Sequence, residues 1–198
     1  MATFVLRVWL PDRPGALGAV ATRVGAVRGD VIGIDIIERG AGSAVDELVV
    51  DIPEPELLEL LLDEIGQVEG VAVEDVRPLD GPPEDPAVAA LEVAVALDAA
   101  DPLEALVSGT VRLLRADWSA VVEPAAGAVL ASTGQDLPSD AWLSAFVGGA
   151  LASGGASELP ELAVAALASG RGVLVASRSH LPLRGRERDV LAGLARLV

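Results

Sequence analysis

The sequence predicts an α+β protein made of two successive domains. Three observations carry this reading. Residues 3–79 alternate as strand, helix, strand, strand, helix, strand, and residues 87–198 run helix, helix, hairpin, helix, hairpin, helix. Between them, Asp80-Gly81-Pro82-Pro83-Glu84-Asp85-Pro86 holds turn residues, acids and prolines and no apolar anchor. The boundaries are therefore set at 1–80, a linker at 81–86, and 87–198. The chain has 198 residues, 52% of them hydrophobic, enough for two small cores.

In the first half, Phe4, Leu6, Val8 and Leu10 alternate with Val5, Arg7 and Trp9, the period of a strand. Leu17, Val20, Val24 and Val27 recur at helical spacing. Asp30–Arg39 is a second strand, with Ile32, Ile34 and Ile36 expected to face inward. Gly40-Ala41-Gly42-Ser43 joins it as a hairpin to a third strand, with Leu48, Val50 and Ile52 inward. Pro53-Glu54-Pro55-Glu56 opens a helix, because proline suits a first turn and acids there oppose the helix dipole. Leu58, Leu61, Leu62 and Ile65 form its stripe, and Val71–Leu79 is the fourth strand. The order βαββαβ implies an antiparallel sheet with both helices on one face. Arg7 and Trp9 lie on the other face, where Asp35, Arg39 and Glu47 are expected to join them. A tryptophan with Val5 and Val49 there is an apolar patch that monomers tend to avoid. This predicts cover by a second sheet or by the second half, and a homodimer.

In the second half, Ala87–Leu97 is an apolar helix. Asp101-Pro102-Leu103-Glu104 is a capping signature, opening a helix with Leu103, Leu106, Val107, Thr110, Leu113 and Leu114 inward. Trp118–Glu123 and Ala128–Thr133 form a hairpin. Ser139 or Asp140 caps a helix carrying Trp142, Leu143, Phe146 and Val147. Ala163–Leu167 and Gly172–Ser177 form a second hairpin, and a last helix carries Val190, Leu191, Leu194 and Leu197. Gly148-Gly149 and Gly154-Gly155 read as helix-ending and loop glycines.

Composition excludes several functions. The net charge is −16, so the chain lacks the basic surface that neutralises phosphates; no nucleic-acid partner is expected. There is no cysteine, hence no disulfide, thiolate metal site or cysteine nucleophile. Lysine is absent, which rules out a phosphate-binding Gly-x-x-x-x-Gly-Lys loop. No apolar run approaches the roughly 20 residues of a membrane span, and Arg7 interrupts the first one. A cytoplasmic protein is expected. The single histidine, His180, cannot build a usual zinc site, so no metal or cofactor is expected. Ser139, Ser177 and Ser179 lie in no Gly-x-Ser-x-Gly elbow, and no catalytic set is visible. The chain is not expected to be an enzyme.

The segment Leu10-Pro11-Asp12-Arg13-Pro14-Gly15-Ala16-Leu17 closely resembles the first turn of an ACT domain, a ferredoxin-like βαββαβ regulatory module. Physically, glycine allows close backbone approach, and the first helical turn presents N–H groups to an anion. The bland reading is a plain helix start capped by Asp12. The resemblance implies that the loop lies beside the start of strand two, usually across a dimer interface. That start is Asp30-Val31-Ile32. Family members that bind amino acids often carry asparagine where Asp30 stands. An ionised aspartate only accepts hydrogen bonds, so Asp30 is expected to suit a ligand's ammonium group and to repel a carboxylate. The implied effector site is Asp12, Arg13, Gly15, Ala16 and Leu17 with Asp30, Val31 and Ile32.

Gly170-Arg171-Gly172-Val173-Leu174-Val175-Ala176-Ser177-Arg178, followed by Leu183 to Leu197, resembles a reduced GAF-like domain over residues 87–198, with Glu187 and Asp189 near the start of its terminal helix. The resulting expectation is a non-catalytic regulatory protein that binds a small effector, most simply an amino acid, at a homodimer interface. The alternative is a dimerisation or docking module without ligand.

Overall fold

The period-2 stretch at the N-terminus forms β1 (Ala2–Pro11), the long strand on which the first sheet is built. A tight turn leads into α1 (Ala16–Ala26), which buries Ala16, Val20 and Val24. β2 (Asp30–Gly40) and β3 (Ser43–Ile52) form the predicted hairpin. Ala41 and Gly42 both have positive φ, 53° and 81°. A two-residue loop of that kind matches the twist of the flanking strands. A single 3-10 turn, Pro55–Leu57, precedes α2 (Leu58–Gly66), and β4 (Ala72–Pro78) completes the sheet. The strand order is β2-β3-β1-β4, the antiparallel arrangement of a ferredoxin-like βαββαβ unit. Leu6, Val8, Val20, Val24, Leu48, Val50, Ile52, Leu61 and Ile65 are fully buried between sheet and helices.

The second sheet has the order β6-β5-β8-β7. Its strands are β5 (Trp118–Glu123), β6 (Ala128–Gly134), β7 (Leu162–Ala166) and β8 (Val173–Ser177). Its helices are α3 (Pro86–Ala96), α4 (Pro102–Leu114), α5 (Asp140–Ala152) and α6 (Gly185–Ala195). Alternation along the strands feeds two cores. Val121, Leu174 and Ala176 meet Leu106, Val107, Leu114, Leu191 and Leu194 on one face. Ala120, Val122, Val173 and Val175 meet Leu143 and Val147 on the other. Asp101 caps α4 by accepting from the Glu104 N–H at 3.1 Å, and Ser139 caps α5. This computed structural model describes residues 1–98, 101–153 and 159–198, in two compact units, Met1–Pro83 and Glu84–Val198. The expected Gly154-Gly155 loop lies outside the described residues.

Several sequence expectations are corrected. Ile32, Ile34 and Ile36 are 42%, 53% and 40% exposed rather than inward. β2 is an edge strand: Ile34 and Ile36 pair with Leu48 and Asp46 on the helix-bearing face but stay exposed at the edge, and Ile32 falls in the register shift between Val31 and Gly33; a second shift follows between Ile36 and Glu38. Val31 joins the core instead. The second shift also moves Arg39 opposite Ala44, away from the face that carries Arg7, Asp35 and Glu47. Among the residues on the face of Arg7, Val5, Arg7 itself and Val45 are buried. Leu197, beyond the end of α6, and Trp142 on α5 are exposed. The indole of Trp142 stacks on Phe146 at 5.2 Å.

Candidate functional site

Among the described residues, the hydrogen bonds that hold the turn between β1 and α1 are backbone bonds. The Asp12 N–H donates to the Gly42 carbonyl at 2.9 Å, and the Arg13 N–H to Pro11 at 2.8 Å. Gly15, not Asp12, occupies the cap position of α1. Its φ is +87°, in the left-handed region that a side chain disfavours, and no side chain caps the helix. A Cβ built on Gly15 would meet nothing within 4 Å. The Ala16 N–H donates back to the Arg13 carbonyl at 3.3 Å, so the N–H groups that follow it in the first turn of α1 are the ones left for a ligand, beside the open Cβ position of Gly15. Asp12, Arg13 and Gly15 are exposed, Leu17 is half-buried, and Ala16 is buried beneath the turn.

Asp30, Val31 and Ile32 are not beside this turn in the same chain. Asp30 pairs with Asp51, which pairs with Thr3 at the start of β1, whereas the turn follows Pro11 at its end. At about 3.4 Å per residue, roughly 27 Å separates the two groups. The Asp30 end instead borders a cavity of about 780 Å³ lined by Thr3, Phe4, Ile32, Asp51, Pro78 and Pro83 among others. There the Thr3 hydroxyl donates to Asp51 at 2.6 Å.

One residue near the turn escaped the sequence reading. Asp46 on β3 is 4% exposed, and its Oδ1 has no hydrogen-bond partner. Burial pushes its carboxyl above the usual range; Arg39 opposes this and Asp12 adds to it. The signal was available in the strand. Asp46 has the parity of Leu48, Val50 and Ile52, so it is a charge at an inward position.

The other polar clusters have internal partners. The Arg7 guanidinium donates twice to one Glu47 oxygen, at 2.8 and 3.1 Å, and Arg77 approaches the other at 3.6 Å. The Trp9 indole N–H donates to Glu74 at 3.2 Å. In the second unit, Asp117 accepts from both the hydroxyl and the N–H of Ser179 at 2.7 Å. Desolvation raises the Asp117 pKa, but these bonds and the charges of His180 and Arg178 outweigh it, and the net shift is downward. The serine donates directly to the carboxylate, with His180 exposed beside it, so this is not a nucleophile–base arrangement. Arg178 is buried and pairs with buried Glu187 at 2.7 Å. Among the described residues, no group of His, Asp and Glu is placed to hold a metal ion, and no helix is long and apolar enough to cross a membrane.

No curated protein matches the chain. Among solved structures, it is similar to an uncharacterized protein from Thermotoga maritima, with 22% identity, 39% of this chain and 96% of that one covered, and a TM-score of 0.32. It is also similar to the ACT domain from GTP pyrophosphokinase of Chlorobium tepidum, with 18% identity, 40% and 100% covered, and a TM-score of 0.32. A protein from Galdieria sulphuraria shows 15% identity, with 99% and 91% covered and a TM-score of 0.35. Residues 4–70, the sheet and helices that position the β1–α1 turn, match the family model of the ACT domain.

Proposed function

We propose that this chain is a non-catalytic regulatory protein that binds an amino acid at the β1–α1 turn, within a homodimer. ACT domains are typically regulatory, ligand-binding modules. The observation that carries the reading is the start of α1, a helix N-terminus with no side-chain cap and with open space at the Cβ position of Gly15. Such a terminus suits a ligand carboxylate. The homodimer supplies what one chain lacks. If β2 pairs antiparallel with β2 of a second copy about Asp35, residue 30 of one copy lies beside residue 40 of the other. Residue 40 neighbours Gly42, to which the turn is bonded. Asp30, Val31 and Ile32 of the second copy then close the site. The ligand shifts the population of two dimer arrangements through its differential affinity for them. The same proposal holds residues 87–198 to be a GAF-like partner domain, supported by the helix–hairpin–helix–hairpin–helix order, and places the protein in the cytoplasm.

A thermal-shift screen of the twenty amino acids tests this, because a ligand that binds only the folded state raises the melting temperature. Gly15→Val is expected to abolish the shift, since it fills the space at the cap and strains a left-handed backbone position by about 1–2 kcal/mol. A full ligand shift in that variant removes the turn as the site. No shift with any amino acid in the wild type selects the ligand-free docking module, which the exposed isoleucines of β2 favour. The first unit is expected to fold alone. Limited proteolysis should cut first at 81–85 and release a folded N-terminal fragment; first cuts inside Val31–Ile52 count against it.

A further inference from the structure

We infer that Asp46 is the group that receives the ammonium of a zwitterionic ligand whose carboxylate lies on the first turn of α1. The inference rests on the site proposed above and reassigns one of its roles. Asp30, the sequence candidate for the ammonium, reaches the turn only from the second copy of the proposed dimer, and in the same chain it stands at the far end of the sheet.

Asp46 stands on the helix-bearing face. Its partner on β1 is Val8, a fully buried member of the core between sheet and helices. Two residues away on the same face, Ala44 pairs with Leu10, the strand end that runs into the turn. Asp12 in the turn and Arg39 on β2 are the charged groups that act on the Asp46 carboxylate. At 4% exposure, with Oδ1 unpartnered, this carboxylate is a poor structural element. Core acids are normally satisfied by donors, and an unsatisfied one weakens the fold. The neighbourhood provides one anion site, the α1 terminus, and one cation site, Asp46. A molecule carrying both charged groups on one carbon, as an α-amino acid does, complements the pair.

A structural role and a ligand role make opposite predictions. If Asp46 supports the fold, Asp46→Asn destabilises the protein. If it is held unsatisfied for a ligand, the neutral amide relieves the free protein and weakens the complex. The sign with pH follows. The folded pKa of Asp46 stands above its unfolded value, so its contribution to stability is full below the unfolded pKa and is lost as pH rises through the raised one. Asp46→Asn removes that loss.

The experiment uses the full chain and the twenty amino acids, each beside the carboxylic acid that lacks its amino group. Asp46→Asn is expected to melt at or above the wild type, to bind the amino acid about tenfold or more weakly, and to leave the affinity for the des-amino acid unchanged. Asp30→Asn is expected to change the amino-acid affinity less than Asp46→Asn does. Equal amino-acid affinity in Asp46→Asn and wild type overturns the assignment while leaving the ligand reading standing. No shift of the wild type by any amino acid overturns both. If Asp46→Asn fails to fold, the wild type alone decides: equal affinity for an amino acid and its des-amino partner overturns the assignment, and a tenfold preference for the amino acid supports it.

Discussion

Arg178→Ala is expected to destabilise the second unit by about 3–5 kcal/mol, the cost of stranding one member of a buried ion pair. Arg178 is 7% exposed and Glu187 is 9% exposed. The guanidinium reaches the Glu187 carboxylate at 2.7 Å. It also donates to the carbonyls of Leu114, Leu181 and Pro182 at 2.9, 2.9 and 2.8 Å. One planar side chain thus ties the end of α4 to the loop after β8 and to the first turn of α6. Alanine leaves a buried carboxylate without its cation and three carbonyls without that donor. Against a total stability of about 5–15 kcal/mol this is a large fraction, and the melting temperature should fall by about 10 °C or more. Arg178→Lys keeps the charge but loses the fork that spans separate acceptors, so it is expected to recover only part of the loss. A melting temperature within a degree or two of wild type for Arg178→Ala would mean that the pair carries little of the fold.

The contrast between what the sequence discloses and what it hides follows from range. Hairpins, caps and stripes are local. Ala41-Gly42, Asp101-Pro102-Leu103-Glu104 and the Leu61–Ile65 stripe can be read from a few residues, and each stands where expected. The Arg178–Glu187 pair joins a strand end to a later helix, and nothing in the spacing announces it. β2 shows a second limit. Period-2 reasoning assumes an unbroken pleat and a central strand, and β2 has two register shifts and lies at the sheet edge. Its isoleucines read as core because aliphatic residues usually are core, yet no helix covers them. The turn at Asp12–Gly15 was legible as a motif. The separation of Asp30 from it was not, because that distance depends on which strands pair. Asp46 lay in between: its inward parity was readable once Leu48, Val50 and Ile52 had been set as the buried face.

Ile34→Lys, alone or with Ile36→Lys, is expected to convert the proposed homodimer to a monomer. β2 ends the first sheet and exposes an aliphatic side chain at 32, 34 and 36, at 42%, 53% and 40%. Edge strands of monomers are usually guarded by an inward charge, a proline or a short length. β2 runs from Asp30 to Gly40 without a proline, and the charges of Asp35, Glu38 and Arg39 do not interrupt the isoleucine run on the exposed positions. With a two-fold axis at Asp35, each Ile34 lies opposite Ile36 of the second copy. A lysine at 34 then puts an unpaired charge at the centre of the contact twice in every dimer. Like-charge and desolvation costs of several kcal/mol correspond to a dissociation constant raised about a hundredfold or more. The protomer should barely change, because substitutions at exposed positions usually stay within about 0.5 kcal/mol. Light scattering across a concentration series reads the mass, and thermal melting reads the fold. Because the proposed dimer uses Asp30–Ile32 of the second copy to close the effector site, the amino-acid shift should vanish with the dimer. A monomeric wild type at high micromolar concentration, or a variant whose dimer mass is unchanged, would move the interface away from β2 and leave the turn to bind its ligand within one chain.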